Sequence, residues 1–575
     1  MRSEFRGGTI SLTVPDVFPI EGQGRLVIDP VIRTDAPISD LVGALQPDVA
    51  FEKDIGNEGV YVVVYETGFS ASDRDLYAIE VRADDFAIVN FGAVEISSDD
   101  TRAPAVAAMD AIDRFLIVYE VEVGGTDSVR IESRVRRAGS SDMGLVNHIS
   151  DELPNSRNTQ PDVGGENGLH ALYWCVVWRN VGDETAEIRA RVVSTTGAPV
   201  GFSRSLSAPG STNESAPVIS EGSSAPYGDG RFAFAYTQEQ QSTVYTGELR
   251  PTPFGIQIVQ PAYRLGELGS FSRASISNVA PVLSNGGDPI YAVAVEADGG
   301  TQEDQIITFL CAGGGIQSLN NITRLEDIRP RNSAYIPKVA WTGDGFVIAY
   351  KSDDRMYMTS ASIADVGTRK QLVLGERAQR VQYLGSTDRV ENPNLASRAE
   401  SGDTQSRRAL VAYWSIPPNP DRMTVHIGEI ERLEERAVGR QYCSAMQNSS
   451  GHTAWLAMFG DQGTTSTKSA VASSLPSSQF VLLLNSLQDG FTSQPGGSSG
   501  NLCLGGAIGR MGSVIAPIGA DRTATIPVDP TRLETPNGFR ATQPGETWHF
   551  QGWYRDTVGG TVTSNFTNAV EVELN

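Results

Sequence analysis

Five arginines, Arg102, Arg157, Arg273, Arg331 and Arg389, stand a few residues ahead of prolines that recur along the chain, at Pro104, Pro161, Pro281, Pro337 and Pro393. A guanidinium is a planar fork that matches carboxylate and sulfate groups. If repetition brings the five together, they offer a grip on an anionic polysaccharide or a carboxylate-bearing peptide. Tyr335, close to Arg331, adds a phenol able to move a proton. A second set of polar positions is acidic: Asp73, Asp75, Asp127, Asp353 and Asp354 fall in turns. Carboxylates are calcium ligands, but no Asp-x-Asp-x-Asp-Gly loop occurs. Solvated turn acids are therefore the expectation, with no cofactor required and calcium the one candidate.

Other chemistry has less to stand on. There is no Gly-x-Ser-x-Gly elbow, no phosphate-cradling Gly-Lys-Ser/Thr loop and no His-Glu-x-x-His. None of the five histidines makes a close pair with metal-ligand spacing, so no metal site is expected from them. Of the four cysteines, Cys443 and Cys503 share the C-terminal region and are expected to pair, while Cys175 and Cys311 lie in or beside strand-like runs and are expected to be buried thiols. Trp548, Phe550, Trp553 and Tyr554 cluster near the C-terminus; strand alternation puts Trp548 and Phe550 on one face, as a sandwich core would use them.

The elements that must position these residues repeat. "QPDVA" at Pro47 returns as "APAVA" at Pro104, "QPDVG" at Pro161, "APVIS" at Pro217, "APVLS" at Pro281, "IPKVA" at Pro337 and "NPNLA" at Pro393, at intervals of 57, 57, 56, 64, 56 and 56 residues. A fixed period of this size marks a repeat architecture. Each copy continues with an apolar run such as "GVYVVVYE" or "RFLIVYEV", and six of the seven runs carry Tyr or Trp near the end. An alternating strand follows, as in "LYAIEV", and then a weaker fourth.

Four strands grading from apolar to half-polar describe a propeller blade, buried inside and wet outside. The expected fold class is all-β: a seven-bladed β-propeller over residues 25–440 followed by a β-sandwich over 441–575, with 1–24 as a leader segment. The piece "RLVIDPVIRT" (Arg25 to Thr34) is expected to complete the last blade, and an open β-solenoid is the competing architecture. The arginines then fall in loops entering the first strands, which face the usual binding mouth of a propeller.

The repeat resembles the Pro-x-Val-Ala repeats of bacterial extracellular propeller proteins. "GNLCLGGAIGR", "PGETWHFQGWYRD" and "SNFTNAV", in that order, resemble a C-terminal domain that recurs in large secreted bacterial proteins. The resemblance implies an exported, extracellular or cell-surface protein and no particular activity.

Composition narrows the partners. The 46 Lys plus Arg against 69 Asp plus Glu give a net charge of -23, which argues against nucleic acid. No apolar stretch approaches membrane-spanning length, and no signal peptide is recognisable at the N-terminus. The reading is a binding or interaction module whose partner is a polysaccharide or a surface protein. A polysaccharide lyase acting on uronates is the enzymatic alternative, with the arginines neutralising the uronate and Tyr335 as base. A structural spacer is the third.

Overall fold

The computed structural model describes residues 2–6, 9–13 and most of 33–575; the stretches 14–32, 277–289, 322–333, 381–388 and 399–407 are among those outside the described residues. The chain divides into Met1–Val31 and Ile32–Asn575. In the first unit Arg2–Arg6 pairs antiparallel with Thr9–Thr13.

In the second unit seven four-stranded antiparallel blades succeed one another. Their innermost strands are Ala44–Glu52, Thr101–Met109, Arg157–Gly165, Glu214–Ile219, Ser270–Ile276, Ala334–Trp341 and Arg389–Ser397. The second strands are apolar on both faces because both faces are covered. In blade one Val60, Val62 and Val64 pack with Phe115, Ile117 and Tyr119 of blade two. The intervening Tyr61, Val63 and Tyr65 pack with Leu410, Ala412 and Ile427 of blade seven, so the ring is closed. An open superhelix is excluded by that last interface.

The two ends of the repeat array also share one blade. The fourth strand of blade seven is Arg33–Pro37, which pairs antiparallel with the third strand Thr424–Glu431. Most of the segment expected to do this, from Arg25, lies outside the described residues; the pairing begins at Arg33. A buried clasp sits over the joint. Arg398 donates from Nη2 to Glu429 Oε1 at 2.9 Å and to the Ala83 carbonyl at 2.6 Å, and the Tyr61 hydroxyl donates to the same Glu429 oxygen at 3.1 Å. Clasped blades therefore belong to opposite ends of the repeat array.

The recurring proline has a defined geometric role. In blade two Arg102 pairs with Glu120 and Ala105 with Val118, so Ala103 and Pro104 together oppose the single residue Tyr119. This is a β-bulge. The residue ahead of the proline has a positive φ in six blades: Gln46, Ala103, Gln160, Ala216, Ile336 and Asn392. The residue opposite the bulge is Tyr65, Tyr119, Trp178, Tyr236, Tyr350 or Tyr413, each buried toward the preceding blade. Proline suits the bulge because it has no N–H to leave unpaired.

Blade five departs from this pattern, and from the sequence alignment. Its innermost strand is Ser270–Ile276, upstream of "APVLS", and Pro281 lies outside the described residues. Ser272 pairs with Glu296 and Ala274 with Val295, so Ala274 takes the proline's place and Val295 the aromatic's. Counted through Ala274, the intervals of 64 and 56 become 57 and 63, so the extra residues belong to the connection between the first and second strands of blade five. A local Pro-x-Val in that connection imitates the motif.

The C-terminal part is a β-sandwich. One sheet contains Arg440–Tyr442, Thr561–Glu573, Thr547–Val558 and Phe480–Ser486; the other contains Ala437–Val438, Trp455–Phe459, Lys468–Ser473 and Ala524–Val528. Trp548, Phe550 and Tyr554 fill the space between them with Leu456, Met458 and Ile526. On the outer face Leu484, Leu504 and Phe566 form a smaller cluster. Leu504 belongs to Leu502–Leu504, and the disulfide Cys443–Cys503 ties that strand to the residue following Tyr442. Cys175 and Cys311 are free and buried; burial pushes the Cys175 thiol well above its usual value and the Cys311 thiol up to about 12. Neither is a nucleophile at neutral pH.

Candidate binding mouth and central channel

The bulges lie at the start of the innermost strands, on the end of the ring that also carries the turns between second and third strands. There the free N–H of each left-handed residue needs an acceptor. The preceding blade supplies one: Glu66 Oε1 accepts from Ala103 N at 3.2 Å, Glu120 Oε1 from Gln160 N at 2.7 Å, Gln160 Oε1 from Ala216 N at 2.8 Å and Glu296 Oε2 from Ile336 N at 3.2 Å. Burial pushes the Glu66 carboxyl above its ordinary value. The mouth is thus lined by carboxylates with a structural duty.

Arginines are drawn to those carboxylates. Arg74 reaches Glu66 at 3.4 Å and Asp100 at 3.3 Å. Arg102 reaches Glu120 at 2.8 Å, Asp100 at 3.5 Å and Glu122 at 4.0 Å. Partial burial works against the Arg102 charge, but its three acidic neighbours outweigh it and hold the guanidinium above its usual pKa. Arg102 is therefore at the mouth with its charge already compensated.

The other expected site residues are placed less alike than their sequence offsets suggest. Arg157 opens the innermost strand of blade three and is exposed. Arg273 lies within the innermost strand of blade five, at the bulge between Ser272 and Ala274, and not in a loop ahead of it. Arg389 begins the innermost strand of blade seven, opposite Ile416, and Tyr335 lies in that of blade six, opposite Lys351. Arg331 falls outside the described residues. Lys351, nearly buried, donates to Glu391 at 2.6 Å, which joins the mouths of blades six and seven. On the rim of blade one Phe69 is 60 % exposed in the hairpin that joins the second and third strands.

One step further down the channel is a set that sequence reasoning passed over. The residue after the repeat's proline is Asp48 in blade one, Asp162 in blade three and Lys338 in blade six. Asp48 Oδ2 accepts from Val106 N of blade two at 2.8 Å, and Asp162 Oδ2 from Ile219 N of blade four at 2.8 Å. Ser275 does the same for Val339 N of blade six at 3.2 Å. Burial pushes the Asp48 carboxyl up to about 6, against the pull of Lys338 and its backbone donors. Burial and then the Asp48 charge push Asp162 up to about 7, again opposed by Lys338. Their signal was the variable letter in Pro-x-Val, charged in only three of seven copies.

No family model matches the chain, and no curated protein matches it. Solved structures with a similar chain path include the polysaccharide lyase Uly1, 10% identical with a TM-score of 0.41 over 70% of this chain and 99% of that one. The Dos1 propeller is 7% identical with a TM-score of 0.38, over 70% and 95%. A sialidase of Trypanosoma rangeli in complex with sialic acid is 8% identical with a TM-score of 0.35, over 94% and 95%.

Proposed function

We propose that the chain is an exported binding module that recognises a polysaccharide at the propeller mouth. One observation supports it best: a run of planar charged side chains, Glu66, Arg74, Asp100, Arg102 and Glu120, crosses blades one and two through ion pairs. Exposed Arg157 follows on blade three and exposed Phe69 stands on the rim of blade one. Glu66, Asp100 and Glu120 are buried and aim Arg74 and Arg102, whose side chains are 26% and 24% exposed and keep N–H groups for sugar hydroxyls; among the described side chains, exposed Arg157 has charge left for a uronate or sulfate. Among the described side chains, an anionic glycan then meets Arg157 as its strong cationic contact, with Arg102 already compensated by Glu120 and Asp100.

A lyase is the second reading. It is favoured by Tyr335, Lys351, Glu391 and Arg389 all falling at the mouth of blades six and seven, an inventory suited to proton removal beside a carboxylate. A glycan array carrying uronates, sulfated chains and neutral polymers tests both. The module predicts salt-sensitive binding, weakened by Arg157→Ala, without growth of unsaturated-uronate absorbance. Turnover would select the lyase, and no binding by any glycan would overturn both.

A further inference from the structure

Between blades three and four, at the mouth end, an acid is buried with no cation paired to its carboxylate among the described residues. Glu214 opens the innermost strand of blade four and is directly opposite Gln238, the last residue of the second strand. Directly opposed residues project on the same face, and this face is the one that Phe234 and Tyr236 turn toward Cys175 and Val177 of blade three. Glu214 is 0% and Gln238 3% exposed. Both carboxylate oxygens of Glu214 and the side-chain oxygen of Gln238 are buried without a hydrogen-bond partner. Arg179 is nearby but committed elsewhere: Nε donates to the Glu214 backbone carbonyl at 2.8 Å and Nη2 to Glu239 Oε1 at 3.4 Å.

Three orphaned oxygen acceptors on one face are part of the six to eight oxygens a calcium ion takes, with backbone carbonyls or water to supply the rest. We propose that Glu214 and Gln238 form a cation site between blades three and four, calcium by preference, with the carboxylate as bidentate ligand and the amide oxygen beside it. Calcium fits better than magnesium because a single carboxylate in an irregular strand-end setting does not provide a rigid octahedron. With one charged ligand the affinity falls in the weak class of extracellular modules, Kd about 10⁻⁴–10⁻³ M. An ion there would fix the start of blade four at the mouth, and the site does not depend on the glycan reading.

The test uses the full chain, stripped with chelator and titrated with CaCl2 while thermal unfolding and calorimetric heat are followed. The melting temperature is expected to rise with calcium through that concentration range, to respond less to MgCl2, and to lose the response in Glu214→Gln. Glu239→Gln, altering the neighbouring exposed acid, should keep it. Absence of a calcium response in the parent, or an unchanged response in Glu214→Gln, overturns the site. If Glu214→Gln does not fold, Gln238→Ala decides: a several-fold weaker calcium affinity supports the site and an equal affinity overturns it.

Discussion

Blades two and five are built on one template and keep different amounts of it. Blade two has the proline, the left-handed Ala103, Tyr119 across from them and Glu120 capping the next blade. Blade five has Ala274 for the proline and Val295 for the aromatic, with Arg273 as the single extra residue. Proline and aromatic are lost together. The reason is geometric: two residues on one strand facing one on the other open a gap beside the channel, and a large side chain turned toward the preceding blade fills it. Where no residue is skipped on the second strand, valine is enough. Blade five nevertheless keeps the inter-blade bonds, through Glu296 and Ser275. Inter-blade bonding thus survives in blade five without the Pro–aromatic pair, which is one way of presenting it.

The comparison can be broken first at the aromatic. Tyr119→Ala should lower stability by about 3–5 kcal/mol, the range for emptying a large aromatic site, whereas Val295→Ala should cost clearly less; equal shifts in urea midpoint would show that the bulge creates no special void. A second effect is electrostatic. The folded-state pKa of Asp48 is raised, so its contribution is fully present below the unfolded value near 3.8 and is lost as pH rises through about 6. Asp48→Asn should therefore be more stable than the parent at pH 8, by at most about 3 kcal/mol, and nearly equal to it at pH 4. Ser275, the uncharged equivalent in blade five, should give no such pH dependence when changed to Ala.

Smaller differences follow for the caps. Glu120→Ala strips Arg102 of its nearest partner and Gln160 N of its acceptor, at a cost of about 2 kcal/mol; Glu296→Ala removes the acceptor of Ile336 N and should cost about 1 kcal/mol. Chemical denaturation of both variants checks the order. Least of all, Pro104→Ala should cost about 0.4–1 kcal/mol through the freedom it returns to the unfolded chain, measurable as a slightly lower melting temperature.

Much of the ring was legible because burial on both faces writes itself as uninterrupted apolar runs, and because a bulge that needs proline repeats at the blade period. Pro281 misled for the same reason: Pro-x-Val is a local pattern, while strand register is decided by partners such as Val295 and Glu296 on the second strand. Arg102 shows the corresponding blindness at the site. Its offset from Pro104 placed it at the mouth, but Asp100, Glu120 and Glu122 become its partners only through pairing that a single sequence does not display. Asp48 and Asp162 were overlooked because their strength comes from depth in the channel, and an aspartate in a strand-like segment reads as polar decoration. The Cys443–Cys503 pair was legible from there being only two cysteines in the last region.

The clasp at the closing blade has a consequence for the order in which the molecule is made. Tyr61 and Glu429 are separated by 368 residues, yet one hydrogen bond joins them inside the blade seven–blade one interface. During synthesis the strand Arg33–Pro37 leaves the ribosome early and its partner Thr424–Glu431 late, so blades one to six can assemble while the first strand waits without a sheet to join. Contacts of such long range are slow to form. An unclosed array would expose Phe51, Tyr61 and Val63 on one end and Leu410 and Ala412 on the other. The nascent chain therefore carries two sticky ends until the strand Thr424–Glu431 has emerged, and the two ends of neighbouring nascent molecules are complementary to each other as well as to their own.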